Sequence, residues 1–198
     1  MEQVAERLQQ QISFILEIDR LKQIYRQNLI LDGSRRENDA EHSWHLAMMA
    51  MILQEYAAEP VELTRVLQMV LLHDVVEIDA GDTFCYDPQA GLDKHEREQR
   101  AAERLFRLLP PDQGLELKNL WLEFETGETP EAKFAVVLDR LQPLLNNYHT
   151  QGGTWRMHDV ASTQVRKRMA PIGANAPILG DYVENILEDA IARGILKK

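Results

Sequence analysis

The sequence predicts an all-α fold, built as a single compact domain over residues 1–198. Three observations carry that reading. Apolar residues recur at helical spacing along most of the chain, and no stretch sustains the every-second-residue alternation of a half-buried strand. The breaks between periodic segments fall at short Pro, Gly and Asp clusters, none long enough to act as a linker between domains.

Taken in order, Phe14, Ile15, Ile18, Leu21 and Ile24 form a helical stripe within residues 3–25, which Asp32-Gly33-Ser34 interrupts. A second helix runs from about Asp39 to Tyr56, with Leu46, Met49, Ala50 and Leu53 on one face. Pro60 opens a third, because a residue without an N–H loses nothing in a helix's first turn. That helix continues through Leu63, Val66, Leu67, Val70 and Leu71 and ends before Gly81. Residues 80–93 combine Gly, Asp and Pro and read as a loop. Helices resume at about 94–109, 112–126, 130–149, 158–170 and 179–194, separated by Pro110-Pro111, Gly127 to Pro130, and Gly152-Gly153.

Composition narrows the class. Hydrophobic residues at 44% and charged residues at 27% suit a globular core with a solvated surface. A net charge of −10 argues against a nucleic-acid polymer as partner, since such surfaces are basic. It leaves room for a small phosphorylated molecule, because a metal ion and a few arginines dominate at close range. No run approaches the ~18 apolar residues of a membrane span, and Met1 to Gln11 lacks the pattern of a secretory signal. Cys85 is the only cysteine, so an intrachain disulfide and a Cys-rich zinc site are excluded and a reducing cytoplasm is the expected location.

Four segments bring chemistry into these helices: Glu41-His42-Ser43-Trp44, His73-Asp74-Val75-Val76-Glu77, Asp79-Ala80-Gly81-Asp82 and Leu138-Asp139-Arg140. His42 shares a face with Leu46, Met49 and Leu53, where a lone histidine is more often hydrogen-bonded in the core than metal-bound. His73-Asp74 follows Val70-Leu71-Leu72, and Asp139 lies between Phe134-Ala135-Val136-Val137-Leu138 and Leu141, with Arg140 or a helix N-terminus elsewhere as its simplest partner. Each alone is weak. Together they place a His or Asp in an apolar stripe on each of three helices, and one divalent ion would compensate all of them. Two imidazoles and two carboxylates suit manganese, cobalt, iron, nickel or zinc better than calcium and leave coordination positions open. Glu77 stands one turn from His73 on the same face, where a carboxylate can orient or deprotonate an attacking water.

The pattern His42…His73-Asp74…Asp139 on successive helices resembles the HD-domain superfamily of metal-dependent phosphohydrolases. Leu21-Lys22-Gln23-Ile24-Tyr25-Arg26, Arg36-Glu37-Asn38-Asp39-Ala40-Glu41-His42-Ser43, His73-Asp74-x-x-Glu77 with Gly81-Asp82, and Glu131-Ala132-Lys133-Phe134 leading to Leu138-Asp139 resemble its 5'-deoxynucleotidase branch over about residues 14–150. The resemblance implies an HD-domain helical bundle, with the helices of 158–194 packed on the motif-bearing part. It implies His42, His73, Asp74 and Asp139 as metal ligands, Glu77 acting on the attacking water, Arg26 holding the phosphate and Asp82 meeting the sugar. The implied cofactor is a divalent ion (manganese, cobalt, iron, nickel, zinc or magnesium), the substrate a nucleoside 5'-monophosphate, and the assembly a cytoplasmic homodimer. Two other readings stay open: hydrolysis of another phosphoester (a triphosphate, cyclic nucleotide or alarmone), and a metal- or nucleotide-binding sensor without turnover. The chain departs from that branch where Gln27-Asn28 follow Arg26, since the deoxynucleotidases carry a tryptophan there, and in one extra residue before His42; the sugar preference is therefore open.

The remaining candidates read as follows. Arg35 and Arg36 are solvated or assist with phosphate, and Trp44 is core or an aromatic surface. His45 supports the site or packs, and Asp79 is a supporting or helix-end charge. His95, His149 and His158 are surface residues, Cys85 is a loop thiol without a nucleophile's setting, and Met48, Met49 and Met51 are ordinary helix residues.

Overall fold

The first apolar stripe does not run to Ile24 as one helix. In the computed structural model, which describes residues 2–87 and 92–198, α1 (Glu2–Ile18) passes into a 3₁₀ turn at Asp19–Gln23. At Ile24 the backbone becomes extended (φ −89°, ψ 118°) and enters β1 (Tyr25–Leu29). β1 pairs antiparallel with β2 (Arg36–Asn38), Tyr25 opposite Asn38 and Leu29 opposite Arg36. A tight turn joins them: Gly33 takes φ +72°, Asp32 accepts the Ser34 amide at 2.8 Å, and Ile30 bonds to Arg35 across it. Tyr-Arg-Gln-Asn-Leu has no period-two pattern, so the ribbon rests on backbone pairing and turn chemistry. Arg26 consequently lies on a strand and not at the end of the first helix.

α2 (Asp39–Leu53) opens with a capping box. The Asn38 side chain takes the Glu41 amide at 3.0 Å while the Glu41 carboxylate takes the Asn38 amide. A 3₁₀ turn at Gln54–Tyr56 closes it. α3 (Leu63–Leu72) starts later than Pro60 suggested, because Glu62 is its cap: its carboxylate receives the Thr64 and Arg65 amides at 2.9 and 2.8 Å. A 3₁₀ turn at His73–Val76 then leads into the single-turn α4 (Glu77–Ala80). From Gly81 to Asp87 the chain is loop, as expected for 80–93; residues 88–91 lie outside the described residues. α5 (Lys94–Phe106), α6 (Pro111–Thr126) and α7 (Pro130–His149) follow. The helix expected over 158–170 is divided differently: α8 (Gly153–Met157) is a short turn, and α9 (Ser162–Asn175) and α10 (Pro177–Ala192) form a hairpin. That hairpin packs closely at two glycines, a Cβ on Gly180 falling 2.5 Å from the Gly173 Cα.

α7 is the central element, packed by α2, α3, α6 and α9. Leu46 and Ala50 from α2, Val66, Met69 and Val70 from α3, and Phe134, Val137, Leu138 and Leu141 from α7 are buried together. Each of the larger side chains contributes about 1.5–3 kcal/mol by leaving water. Among the described residues no helix is long and apolar enough to cross a membrane. This packing brings the His42 face of α2, the end of α3 and the middle of α7 to one point.

Candidate metal centre

His42, on the second turn of α2, is fully buried. Its two ring nitrogens have different neighbours: Nδ1 is 3.0 Å from Gln142 Oε1, and Nε2 is 3.1 Å from Asp139 Oδ1. The Gln142 amide is itself oriented, because its Nε2 donates to Glu37 Oε1 at 2.7 Å, which turns its Oε1 toward His42. With Oε1 thus turned to His42, Nδ1 carries the ring proton and Nε2 is bare. A bare nitrogen 3.1 Å from a carboxylate oxygen sets acceptor against acceptor. Protonation of both nitrogens is disfavoured, since burial, then the Arg26 charge, lower His42 to about 4. A cation between the two atoms resolves the conflict.

His73 repeats the arrangement. Its Nδ1 donates to the Val70 carbonyl at 3.0 Å, one turn back, and so directs Nε2 inward. That buried nitrogen has no hydrogen-bond partner and stands 3.1 Å from Asp74 Oδ1 and 3.7 Å from Asp139 Oδ1. Burial alone would lower His73, but Asp74, with Asp139, raises it to about 10: the site favours positive charge at this point. Asp74 is held well below the usual carboxylate range; burial opposes this, while His73 and Arg26 outweigh it.

These separations fit a common ion. Donors about 2.1 Å from one metal lie about 3.0–4.2 Å apart, for cis and trans pairs. His42, His73 and Asp139 meet this with one atom each, at 3.1 Å (His42–Asp139) and 3.7 Å (His73–Asp139), while Asp74 turns Oδ1 to His73 at 3.1 Å and Oδ2 to His42 at 3.9 Å. Donor type agrees as well: neutral imidazole nitrogens with carboxylate oxygens suit a borderline divalent metal.

Around this point lie the other expected residues. Arg26 reaches from β1 with Nη1 2.6 Å from Asp74 Oδ2 and 3.3 Å from Asp39 Oδ1, and with Nη2 3.9 Å from Asp139 Oδ1. Glu77 is buried, with one oxygen unpartnered; burial, then the charges of Asp74 and Asp39, raise its carboxyl well above normal. Asp82 joins it: oxygens of Asp39, Glu77 and Asp82 lie within 4.8 Å of one another. Arg26, His73, Asp74, Glu77, Asp82 and Asp139 all line one cleft with a cavity volume of about 260 Å³. Its outer walls include Gln27, Phe84, Tyr86 and Trp155, and Cys85 from the loop.

Other candidates are placed elsewhere. Asp79 is ion-paired with Arg104, which joins α4 to α5. Arg35 forms a bidentate exposed pair with Glu41 at 2.8 and 2.7 Å, away from the cleft, and Trp44 is 63% exposed. His45 stands 3.3 Å from Gln142 Nε2, beside the chain that sets His42. His158 is exposed and stacks on Phe84, ring centroids 4.4 Å apart. Arg140 does not pair with Asp139; Arg168, from α9, approaches that carboxylate instead, 3.8 Å from Oδ2. Sequence reasoning passed over Asp39, Glu37, Gln142 and Arg168. A glutamine three residues from Asp139 in an apolar helix was the one available signal; Arg168 had none.

Comparison with known proteins agrees. The HD domain family model matches residues 18–178, and the chain belongs to that family, as its motifs led us to expect. Human 5'-deoxynucleotidase HDDC2 is 31% identical over 135 residues, 68% of this chain and 65% of that protein; the 5'-deoxynucleotidase hdd1 of Schizosaccharomyces pombe is 27% identical over 136 residues, 66% and 67%. The match thus spans just under two thirds of the length of the human protein. A crystal structure described as a predicted metal-dependent phosphohydrolase from Magnetospirillum magnetotacticum MS-1 aligns with TM-score 0.93 at 55% identity over 97% of this chain and 96% of that one. The PH0347 protein of Pyrococcus horikoshii OT3 shares the fold at TM-score 0.61 and 21% identity, over 90% and 97%.

Proposed function

We propose that this chain is a metal-dependent phosphohydrolase that releases phosphate from nucleoside 5'-monophosphates, with His42, His73, Asp74 and Asp139 as the metal ligands. The observation that carries the reading is the pair of inward-facing imidazole nitrogens, each 3.1 Å from a carboxylate oxygen, beside a cleft that also holds Arg26 and Glu77. A purely structural metal would need neither of the last two. Human HDDC2 and the Magnetospirillum protein, by their descriptions, support nucleotide and phosphoester chemistry respectively.

Bound there, a divalent metal would act as a Lewis acid on the phosphoryl group and lower the pKa of water. The chain's own groups do the rest. Arg26, already facing Asp74 and Asp139, offsets the phosphate's negative charge and the charge that builds as the ester bond breaks. Glu77 accepts a proton from the attacking water; the added positive charge in the cleft brings its raised carboxyl back toward ionisation. Asp82 lines the same wall, where a sugar hydroxyl would meet it. Gln27 stands where the deoxynucleotidases carry a tryptophan, and aromatic surface comes instead from Phe84, Tyr86 and Trp155. The sugar preference therefore rests on different side chains, and both ribose and deoxyribose substrates belong in the test.

That test is a panel of paired ribo- and deoxyribonucleoside 5'-mono- and triphosphates and cyclic nucleotides, with the products identified. Free phosphate plus nucleoside from monophosphates supports the proposal. Pyrophosphate or tripolyphosphate from triphosphates, or ring opening of cyclic nucleotides alone, assigns the site to another phosphoester. Homodimerisation belongs to the same proposal: Leu8, Ile15 and Leu16 on α1 and Ile52 on α2 are large, exposed and apolar, and sedimentation of the purified chain checks it.

A further inference from the structure

We propose that Arg168, supported by Arg140, is a second phosphate-binding guanidinium of this cleft, reached from α9 at the Asp139 oxygen that Arg26 does not approach. The inference rests on the phosphohydrolase reading and extends it to a residue outside every motif of the sequence.

The argument is electrostatic. Lys94 and Arg26, the other basic side chains of the cleft besides His73, have carboxylates at contact distance: Lys94 with Glu98 at 3.2 Å, Arg26 with Asp74 at 2.6 Å. Arg140 and Arg168 line the same cleft and have no carboxylate at that distance among the described residues. Arg168 Nη2 is 3.8 Å from Asp139 Oδ2, at the outer limit of an ion pair, and among the described residues no closer carboxylate meets either guanidinium. The chain carries 32 acidic residues against 22 Lys and Arg, so carboxylates are not scarce. The Arg140 Nε is buried with no hydrogen-bond partner among the described residues. Two like charges side by side in a cleft are unfavourable unless an anion joins them.

Their geometry points that anion at the metal cluster. Asp139 Oδ1 faces the histidine nitrogens, 3.1 and 3.7 Å away, and Arg26 at 3.9 Å; Oδ2 faces Arg168. Arg26 and Arg168 thus flank one carboxylate from two different elements. A phosphate on the cluster presents three non-bridging oxygens, and negative charge is spread over them as the ester breaks. Arg26 meets it from the β1 side and Arg168 from the α9 side. Arg140 Nη1 donates to the Arg168 carbonyl at 3.0 Å, which ties α9 to α7 next to Asp139, so Arg140 is a positioning residue.

The experiment uses the full chain loaded with manganese and inorganic phosphate as the probe, with affinity measured by calorimetry and metal content per chain measured separately. Arg168→Gln is expected to weaken phosphate binding roughly 10- to 100-fold, the loss of one charged hydrogen-bond donor, with metal content and Tm unchanged. Arg168→Lys should recover part of that loss. Arg107→Gln, an exposed site away from the cleft, should leave it as it was. Phosphate affinity in Arg168→Gln within twofold of wild type, loss of metal from that variant, or no phosphate binding by the wild type would each overturn the proposal. Because no turnover is involved, a chain that binds phosphate through Arg168 yet hydrolyses no nucleotide would refute the substrate assignment and leave this inference standing.

Discussion

Gln142 translates a buried carboxylate into a histidine tautomer, and replacing it should damage metal binding without touching a ligand. Gln142→Met keeps the length of the side chain and removes its polarity. The Nδ1–H of His42 loses the acceptor at 3.0 Å, and Glu37 Oε1 loses the donor at 2.7 Å. His42 and Gln142 are fully buried and Glu37 nearly so, so water replaces neither partner. Each stranded group costs about 1–3 kcal/mol, giving roughly 2–6 kcal/mol in sum. For a domain of this size that corresponds to a Tm lower by about 4–24 °C. Freed of its acceptor, the ring also populates the tautomer with the proton on Nε2, which occupies the metal-facing lone pair. Loss of such a supporting group costs about 10- to 100-fold in metal affinity. Scanning calorimetry of the metal-free chain reads the first effect and a manganese titration the second. A variant that melts lower but binds manganese within twofold of wild type would refute the tautomer argument while leaving the packing argument intact.

Three further outcomes follow from the same geometry. Glu77→Gln should retain metal and lose nearly all phosphate release, roughly 100-fold or more for a lost general base; metal analysis beside a phosphate assay checks it, and full activity would remove Glu77 from the mechanism. Burial raises the Glu37 carboxyl from 4.5 to about 7, so the folded chain holds a proton there that the unfolded chain has released. Its contribution to stability therefore declines as pH rises from about 4.5 to 7, by at most about 3 kcal/mol, and the Tm advantage of Glu37→Gln over wild type should grow between pH 5 and pH 8. In Gly114→Ala the new Cβ collides with the Phe106 backbone carbonyl, which no rotamer relieves, so the variant should lose about 1–3 kcal/mol in a denaturant titration.

How much of this was legible in the sequence depended on contrast. His42, Asp74 and Asp139 stood out because each interrupts an apolar helical stripe, and the fold brings them to one point with His73. Arg26 was recognised by motif but set on the wrong element, since the stripe through Leu21 and Ile24 continues the period of α1 while the backbone has already turned extended. Asp39 was hidden by its ordinary role: an acid in a helix's first turn needs no other explanation, yet this one is fully buried against Arg26, and burial, then the Asp74 charge, raise it to about 7. Gln142 carries no charge and so gives no signal in a scan for ligands. Arg168 was beyond sequence reasoning altogether, because only the packing of α9 on α7 sets it beside Asp139.

The central claim, a metal-dependent phosphohydrolase site at His42, His73, Asp74 and Asp139, is tested most directly by phosphate release from nucleoside 5'-monophosphates before and after chelation, with metal content measured on the same samples. The account requires release to vanish with the metal, to return on adding manganese or cobalt, and to be absent along with metal in His73→Ala. Release that persists after the metal is stripped, or a metal-loaded chain that frees no phosphate from any phosphoester, would contradict it.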